Sequence, residues 1–240
     1  MLNLLRKIIN TGCVTEAYDG DNVPLRFRGE LAWQEAQCRS CQHCCQICPT
    51  GAIDFSDGKL NVEHSTCTFC GRCVAVCEQH ALTHTGEYRL AEMKNQLSGK
   101  IRSMLRRSLH IRHVDVGSCN GCDWEMTALN NPIYDLQQYG IDFVASPRHA
   151  DMLMITGVVT RNLAQALTMT YEATPSPKVV MAVGACAASG KVYGNSYAIC
   201  GAANTIVPVD IYVPGCPPRP AALIYGLLLA LDRLGRKRES

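Results

Sequence analysis

The sequence predicts an α/β chain in two parts. A small α+β unit built around metal ligands comes first, and a parallel sheet with helices on its faces follows. Three observations carry this. Cysteines recur in two matching runs between Cys38 and Cys77. After Val114, apolar runs ending near glycine alternate with helical stretches, the pattern of strands and crossover helices. Isolated cysteines then fall just past two of those runs, at Cys186 and Cys216.

Composition narrows the function classes. The chain has 240 residues and 15 cysteines. An odd count at metal-like spacings points to reduced thiolates in a reducing compartment rather than a disulfide framework. A net charge of +2 argues against a dedicated nucleic-acid binder. Arg6 and Lys7 interrupt the apolar start, so no secretory signal is expected. The longest apolar run, Ala221 to Leu231, is far short of the ~20 residues that span a bilayer. The expectation is a protein in the cytoplasm, soluble or peripheral to a membrane through partners.

In chain order, Leu2, Leu5, Ile8 and Ile9 have helical spacing, so residues 1–30 are read as an N-terminal segment opening on a short helix. That helix packs either on the chain's own core or on another subunit. Arg26 to Trp33 reads as a short strand or an extended lead-in. Residues 31–85 form the first unit. Within it Cys38-x2-Cys41-x2-Cys44-x3-Cys48-Pro49 is matched by Cys67-x2-Cys70-x2-Cys73-x3-Cys77, an internal duplication. Between the runs, residues 52–55 and 59–62 read as strands around an Asp57-Gly58 turn.

This cysteine spacing is the bacterial ferredoxin pattern of a two-cluster, ferredoxin-like domain. Three close thiolates wrap one corner of a four-iron cube, and the fourth, too far along to close the same loop, serves the other cube. Cys38, Cys41, Cys44 and Cys77 are therefore assigned to one [4Fe-4S] cluster, and Cys48, Cys67, Cys70 and Cys73 to a second. Zinc, which takes four ligands typically as two separated pairs, fits repeated triplets poorly. In the second run Glu78 stands where the first has Pro49. Cys13, Cys45 and Cys200 receive no role.

Residues 86–113 are basic (Arg89, Lys94, Lys100, Arg102, Arg106, Arg107) and are read as a helical connector with Gly99 as a possible break. Its charges mark a solvated face or a contact with an acidic partner or lipid headgroups. Residues 114–240 form the second unit. Strands are expected at 151–157, 178–184 and 210–215. A helix is expected at 161–173, stopped by Pro175 and Pro177, and a last one at 220–234 with Pro220 in its first turn.

The second unit should collect a third [4Fe-4S] cluster. Cys119 and Cys122 precede a helix, whose N-terminus favours negative charge. Cys186 and Cys216 lie at the carboxyl ends of strands, where open α/β sheets bind ligands. Neighbouring glycines let the backbone approach an anionic cluster and offer it N–H groups. A thioredoxin-like pair at Cys119 and Cys122, or zinc, are the rivals.

These residues carry a resemblance. Ser118-Cys119-Asn120-Gly121-Cys122-Asp123-x-Glu125, Gly184-Ala185-Cys186 and Val213-Pro214-Gly215-Cys216-Pro217-Pro218-Arg219-Pro220 resemble the small subunit of energy-converting (group 4) membrane-bound [NiFe]-hydrogenases. That subunit is related to the 20 kDa-type subunit of respiratory complex I, which usually carries adjacent cysteines where this chain has Cys119 and Cys122 separated. Residues 6–12, Phe27-Arg28-Gly29 and both cysteine runs resemble the ferredoxin-like subunit of formate hydrogenlyase. The chain thus looks like a fusion of two subunits.

The resemblance implies a flavodoxin-like fold for the second unit. It implies three [4Fe-4S] clusters relaying electrons to a [NiFe] large subunit, where 2H+ and 2e- form H2 or the reverse. The implied partners are that large subunit, an electron donor or acceptor (formate dehydrogenase, ferredoxin or similar) and membrane subunits. No nucleic acid is expected, and the implied place is the inner face of the membrane. Arg219 either raises the third cluster's potential or caps the last helix or pairs at an interface. Glu125 either relays protons or is a first-turn acid on the helix dipole. The competing functions are a subunit of an NADH- or ferredoxin-dependent quinone reductase and a non-catalytic metal-stabilised adaptor.

Overall fold

The computed structural model describes residues 2–12, 15, 23–94 and 108–234. The expectations that concern Cys13, the connector between 95 and 107, and residues 235–240 lie outside them. Among the described residues no helix is long and apolar enough to cross a membrane.

The first unit is a folded duplication with an offset of 29 residues, from Cys38 to Cys67. Strand β1 (Leu31–Trp33) leads to helix α2 (His43–Ile47) and β2 (Ile53–Ser56); β3 (Lys59–Val62) leads to α3 (Arg72–Val76) and β4 (Leu82–His84). The halves exchange strands: β1 pairs antiparallel with β4, and β2 with β3. Even the backbone irregularities repeat. Ser40 and Phe69, Gln42 and Gly71, and Gly51 and His80 all adopt positive φ at matching positions. Leu31, Ile53, Leu60 and Leu82 form its small core. Asp57 and Gly58, both left-handed, make the tight turn that the sequence predicted.

The second unit is a six-stranded sheet in the order β5 (Glu92–Met93), β12 (Ile211–Val213), β10 (Val179–Val183), β8 (Met152–Thr156), β6 (Leu109–Asp115), β7 (Ile141–Phe143). Its parallel members are β6, β7, β8, β10 and β12. Numbered by appearance, those five run 2-1-3-4-5, the flavodoxin-like order. Side chains alternate across it. Met152, Met154 and Met181 face α4 (Gly121–Ala128) and α7 (Pro220–Ala230), while Leu153, Ile155 and Val180 face α5 (Arg161–Ala173) and α6 (Gly184–Ser189). Strands β8, β10 and β12 are buried on both faces, which explains their unbroken apolar sequences. A small antiparallel pair, β9 (Val159–Thr160) with β11 (Ile199–Gly201), lies beside it.

The helical connector is corrected for its described residues. Tyr88 to Lys94 is extended, and β5 (Glu92–Met93) joins the sheet edge antiparallel to β12. Leu109 opens strand β6 instead of closing a helix. Its alternation puts Leu109 and Ile111 in the core and leaves His110, Arg112 and His113 only part-buried, a pattern that reads as polar in sequence. Helix α1 (Leu2–Thr11) forms, and its side chains from Asn3 to Thr11 are exposed, so packing on the chain's own core is not seen.

The two units meet along a short route. Gly29 and Glu30 donate to the carbonyls of Thr85 and Glu87, so the lead-in and the exit of the first unit run side by side. Tyr88 then packs on Ala221 and Ala222 at the start of α7, with Phe27 and Val23 alongside. A Cβ on Gly29 would sit 2.1 Å from the Glu87 carbonyl oxygen, so this close approach requires glycine.

Candidate metal centres

Cys38, Cys41, Cys44 and Cys77 line one cavity of about 210 Å³, walled by Trp33, Phe55, Leu60 and Val76. Cys48, Cys67, Cys70 and Cys73 line a second, tighter cavity. The swap of the fourth cysteine follows from the strand exchange: α2 and α3 pack together, and each run ends where the other begins. Left-handed residues inside each run turn backbone N–H groups inward. Ser40 N donates to Cys38 Sγ at 3.5 Å, and Phe69 N to Cys67 Sγ at 3.3 Å. Ala52 N donates to Cys48 Sγ at 3.2 Å.

The third group comes from separate loops at one sheet edge. Cys119 and Cys122 flank the first turn of α4, with Asn120 left-handed between them. Cys186 sits in the first turn of α6, directly after β10, and Cys216 three residues past β12. Their thiols repel one another as thiolates: Cys122 is affected by Cys186, Cys216 and Cys119. All four follow the carboxyl ends of parallel strands, β6, β10 and β12, the edge at which open α/β sheets bind ligands.

Burial acts on most of these thiols. It pushes Cys122 up to about 12 and Cys186 up to about 11, with neighbouring thiolates adding to both. In the first unit it raises Cys44 to about 12, with Cys45 adding, and Cys67 to about 11. Burial works against the Cys48 thiolate too. There, hydrogen bonds from the Thr50, Ala52 and Ile53 backbone outweigh it and hold the group below its ordinary value. A metal centre bound to such thiols must displace protons.

The donor set fits a cluster better than a single ion. Among the described residues no three His, Cys, Asp or Glu side chains are close enough to hold one metal ion. A zinc ion needs its thiolates at about 2.3 Å, whereas a cube spreads them to its corners. Thiolate-only donors, glycine-rich loops and inward N–H groups suit an anionic iron–sulfur cube.

A polar network behind the third group was not legible in the sequence. Asp123 Oδ1 accepts from Thr156 Oγ1 at 2.7 Å and lies 3.2 Å from His113 Nε2. Its other oxygen accepts from Ser118 Oγ. Asp115 Oδ1 accepts from Gly117 N and Ser118 N at 2.9 and 2.8 Å. Together these hold the loop that carries Cys119 to the ends of β6 and β8. The available signal was an aspartate next to a ligand cysteine, with its partners 10 and 33 residues away.

Glu125 is part-buried on α4; burial raises its pKa and the Arg219 charge opposes the rise. Arg219 occupies the N-cap position of α7 but makes no side-chain capping bond there. Its guanidinium instead stacks over two rings, 4.8 Å from the Tyr88 centroid and 5.4 Å from that of Phe27. Cys45 is part-buried beside Cys44, and Cys200 is exposed on β11; neither joins a group of four. Glu78 stands at the α3 end of the first cavity.

Residues 119–230 match the family model of the NADH ubiquinone oxidoreductase 20 kDa subunit, and residues 32–78 match a 4Fe-4S dicluster domain. Among curated relatives, a probable membrane-bound hydrogenase subunit, mbhJ, of Pyrococcus furiosus is 47% identical over 130 residues, covering 54% of this chain and 78% of that one. Formate hydrogenlyase subunit 7 of Escherichia coli is 42% identical over 153 residues, covering 64% of this chain and 58% of its own length. An NADH-quinone oxidoreductase subunit of Geotalea daltonii is 45% identical over 119 residues, covering 50% of this chain and 69% of its own. The chain therefore belongs to the family of the NADH ubiquinone oxidoreductase 20 kDa subunit, which takes in subunits of membrane-bound hydrogenases, and it carries a 4Fe-4S dicluster domain ahead of that part.

Proposed function

We propose that this chain is the electron-transfer subunit of a membrane-bound [NiFe]-hydrogenase complex of the formate hydrogenlyase type. The observation that carries the reading is the sorting of twelve cysteines into three groups of four, with the second and third meeting at one cleft. Cys216 is affected by Cys70 as well as by Cys119, and residues 68–69 and 214–219 line the same space. The ligand sets are Cys38, Cys41, Cys44 and Cys77; Cys48, Cys67, Cys70 and Cys73; and Cys119, Cys122, Cys186 and Cys216. Bound there, three [4Fe-4S] clusters supply one-electron carriers. The family relationship and the identities to the mbhJ and formate hydrogenlyase subunits support a hydrogenase as the host complex.

The chain's own residues do the rest. The second group meets the third at this cleft, and none of the first group's cysteines lines it, so the second is the intermediate station. Backbone N–H groups at Ser40, Ala52 and Phe69 stabilise negative charge on their cysteine sulfurs, which favours the reduced state. Around the third group Trp124 and Tyr193 are exposed, and Tyr193 is affected by all four of its thiols. Exposed aromatic surface beside a redox centre suits the face that meets the large subunit. Glu125, with a carboxyl pKa raised by burial, serves as a proton relay on that side, and the positive charge of Arg219 raises the third potential. The exposed helix α1 docks the chain on another subunit, and association with the membrane is peripheral, through membrane partners.

The identity to the NADH-quinone oxidoreductase relative keeps a second reading, a subunit of a quinone reductase. The test is purification of the native complex with a hydrogen-evolution assay and nickel analysis of the large subunit. Hydrogen evolution with bound nickel is expected; a nickel-free partner that reduces quinone supports the second reading.

A further inference from the structure

Two adjacent residues of the lead-in touch both cysteine loops at the crossing between units. Arg28 donates from Nη1 to the Cys70 carbonyl at 2.5 Å, and its guanidine group crowds Gly71, where a Cβ would meet it at 3.2 Å. Phe27, its neighbour in the chain, lies under the guanidinium of Arg219, which sits three residues after Cys216. Tyr88, 7% exposed, takes the second contact with that guanidinium and packs on Ala221 and Ala222. A continuous set of contacts therefore runs from the Cys70 loop through Arg28, Phe27 and Arg219 to the Cys216 loop. The cleft of about 270 Å³ between the loops has Phe27, Arg28, Tyr88, Cys216 and Arg219 in its lining.

We infer that Arg219, held by Phe27 and Tyr88, is a positioning residue that fixes the separation between the second and third cysteine groups. This rests on the reading that those groups hold clusters. A planar guanidinium has two faces and can serve two rings, which an ammonium cannot do as well. Each ring comes from a segment tied to the first unit, Phe27 from its entry and Tyr88 from its exit, while Arg219 belongs to the second. The role is distinct from the charge effect on the third potential. Charge acts wherever the guanidinium lies nearby, whereas positioning needs the rings.

The experiment uses the purified native complex with Phe27→Leu and Tyr88→Leu together, which remove both rings and keep apolar bulk, Arg219 and every cysteine. The expected result is full iron content and unchanged midpoint potentials. The magnetic interaction between the reduced second and third clusters should weaken, and donor-driven turnover should fall by up to roughly a hundredfold, the cost that a misplacement of about 1 Å can carry. Arg219→Gln should weaken the same interaction. If the double variant loses iron, Phe27→Leu alone gives the decisive reading. An intact magnetic interaction in the variants that keep their iron overturns the inference. A shifted third potential in Arg219→Gln with that interaction intact leaves Arg219 a charge effect only. A wild-type chain without iron in these groups overturns the underlying reading instead, so the two failures are separable.

Discussion

Gly184 offers a severe test of the third centre. It joins β10 to α6, two residues before Cys186, and adopts φ +81°. A Cβ built there would stand 2.7 Å from Cys122 Sγ and 3.3 Å from the Gly215 carbonyl oxygen. Ordinary non-bonded contact is about 3.5–4.0 Å, so the sulfur in Gly184→Ala must retreat by about 1 Å. The Gly215 carbonyl oxygen, itself closer than ordinary contact, adds to the crowding. The left-handed backbone adds about 1–2 kcal/mol for a residue with a Cβ. Gly58 separates the two effects, because it has φ +76° with nothing within 4 Å of its added Cβ. Gly58→Ala should keep all its iron and lose only the backbone increment. Gly184→Ala should lose about four of about twelve irons, the third cluster, while both ferredoxin-type signals persist. Iron and sulfide analysis with low-temperature EPR reads both variants. Full iron and an unchanged third-cluster spectrum in Gly184→Ala would refute the convergence of Cys122 and Cys186 on one centre.

Three further outcomes are expected. Cys77→Ser should abolish the cluster of Cys38, Cys41 and Cys44 rather than that of its own run; EPR showing loss of the other cluster instead would reverse the crossed pairing. Glu125→Gln should slow hydrogen turnover roughly a hundred- to ten-thousandfold if the carboxyl moves protons, with all three cluster signals intact, and unchanged turnover would end that role. His113 should make stability fall in acid. Burial depresses its pKa, although Asp123 and Asp115 oppose this. The unfolded chain takes up the proton near pH ~6.5 and the folded one only at lower pH. Stability is therefore full above about 6.5 and declines as pH drops, by at most about 1.4 kcal/mol per pH unit. His113→Gln should flatten that slope in thermal melts, and an identical slope would remove His113 as its source.

The parts of this fold that were legible share a cause: each has one dominant local signal. The cysteine runs specify their loops because a cube demands close thiolates. Met152–Thr156 and Val179–Val183 were readable because strands buried on both faces are apolar throughout. Pro220 and the prolines after Ala173 marked helix limits through steric effects that operate in any context. The misreadings have a cause too. β6 is covered mainly through Leu109 and Ile111, so its other positions tolerate histidine and arginine and mimic a polar helix. β5 is two residues of edge pairing, below any periodic signal. At the metal centres the cysteines were visible, because thiolate chemistry tolerates no substitute. Asp123, Arg28, Phe27 and Tyr88 were not, because ordinary residues become supports only when the fold brings their partners near.

An electron relay through this chain requires that the twelve cysteines hold three iron–sulfur cubes. Quantifying iron, acid-labile sulfide and zinc in the anaerobically purified chain tests it most directly. About twelve irons and about twelve sulfides per chain, with no stoichiometric zinc, is the predicted result. Roughly three to five zinc ions per chain without sulfide would contradict it and leave a metal-stabilised scaffold in place of a relay.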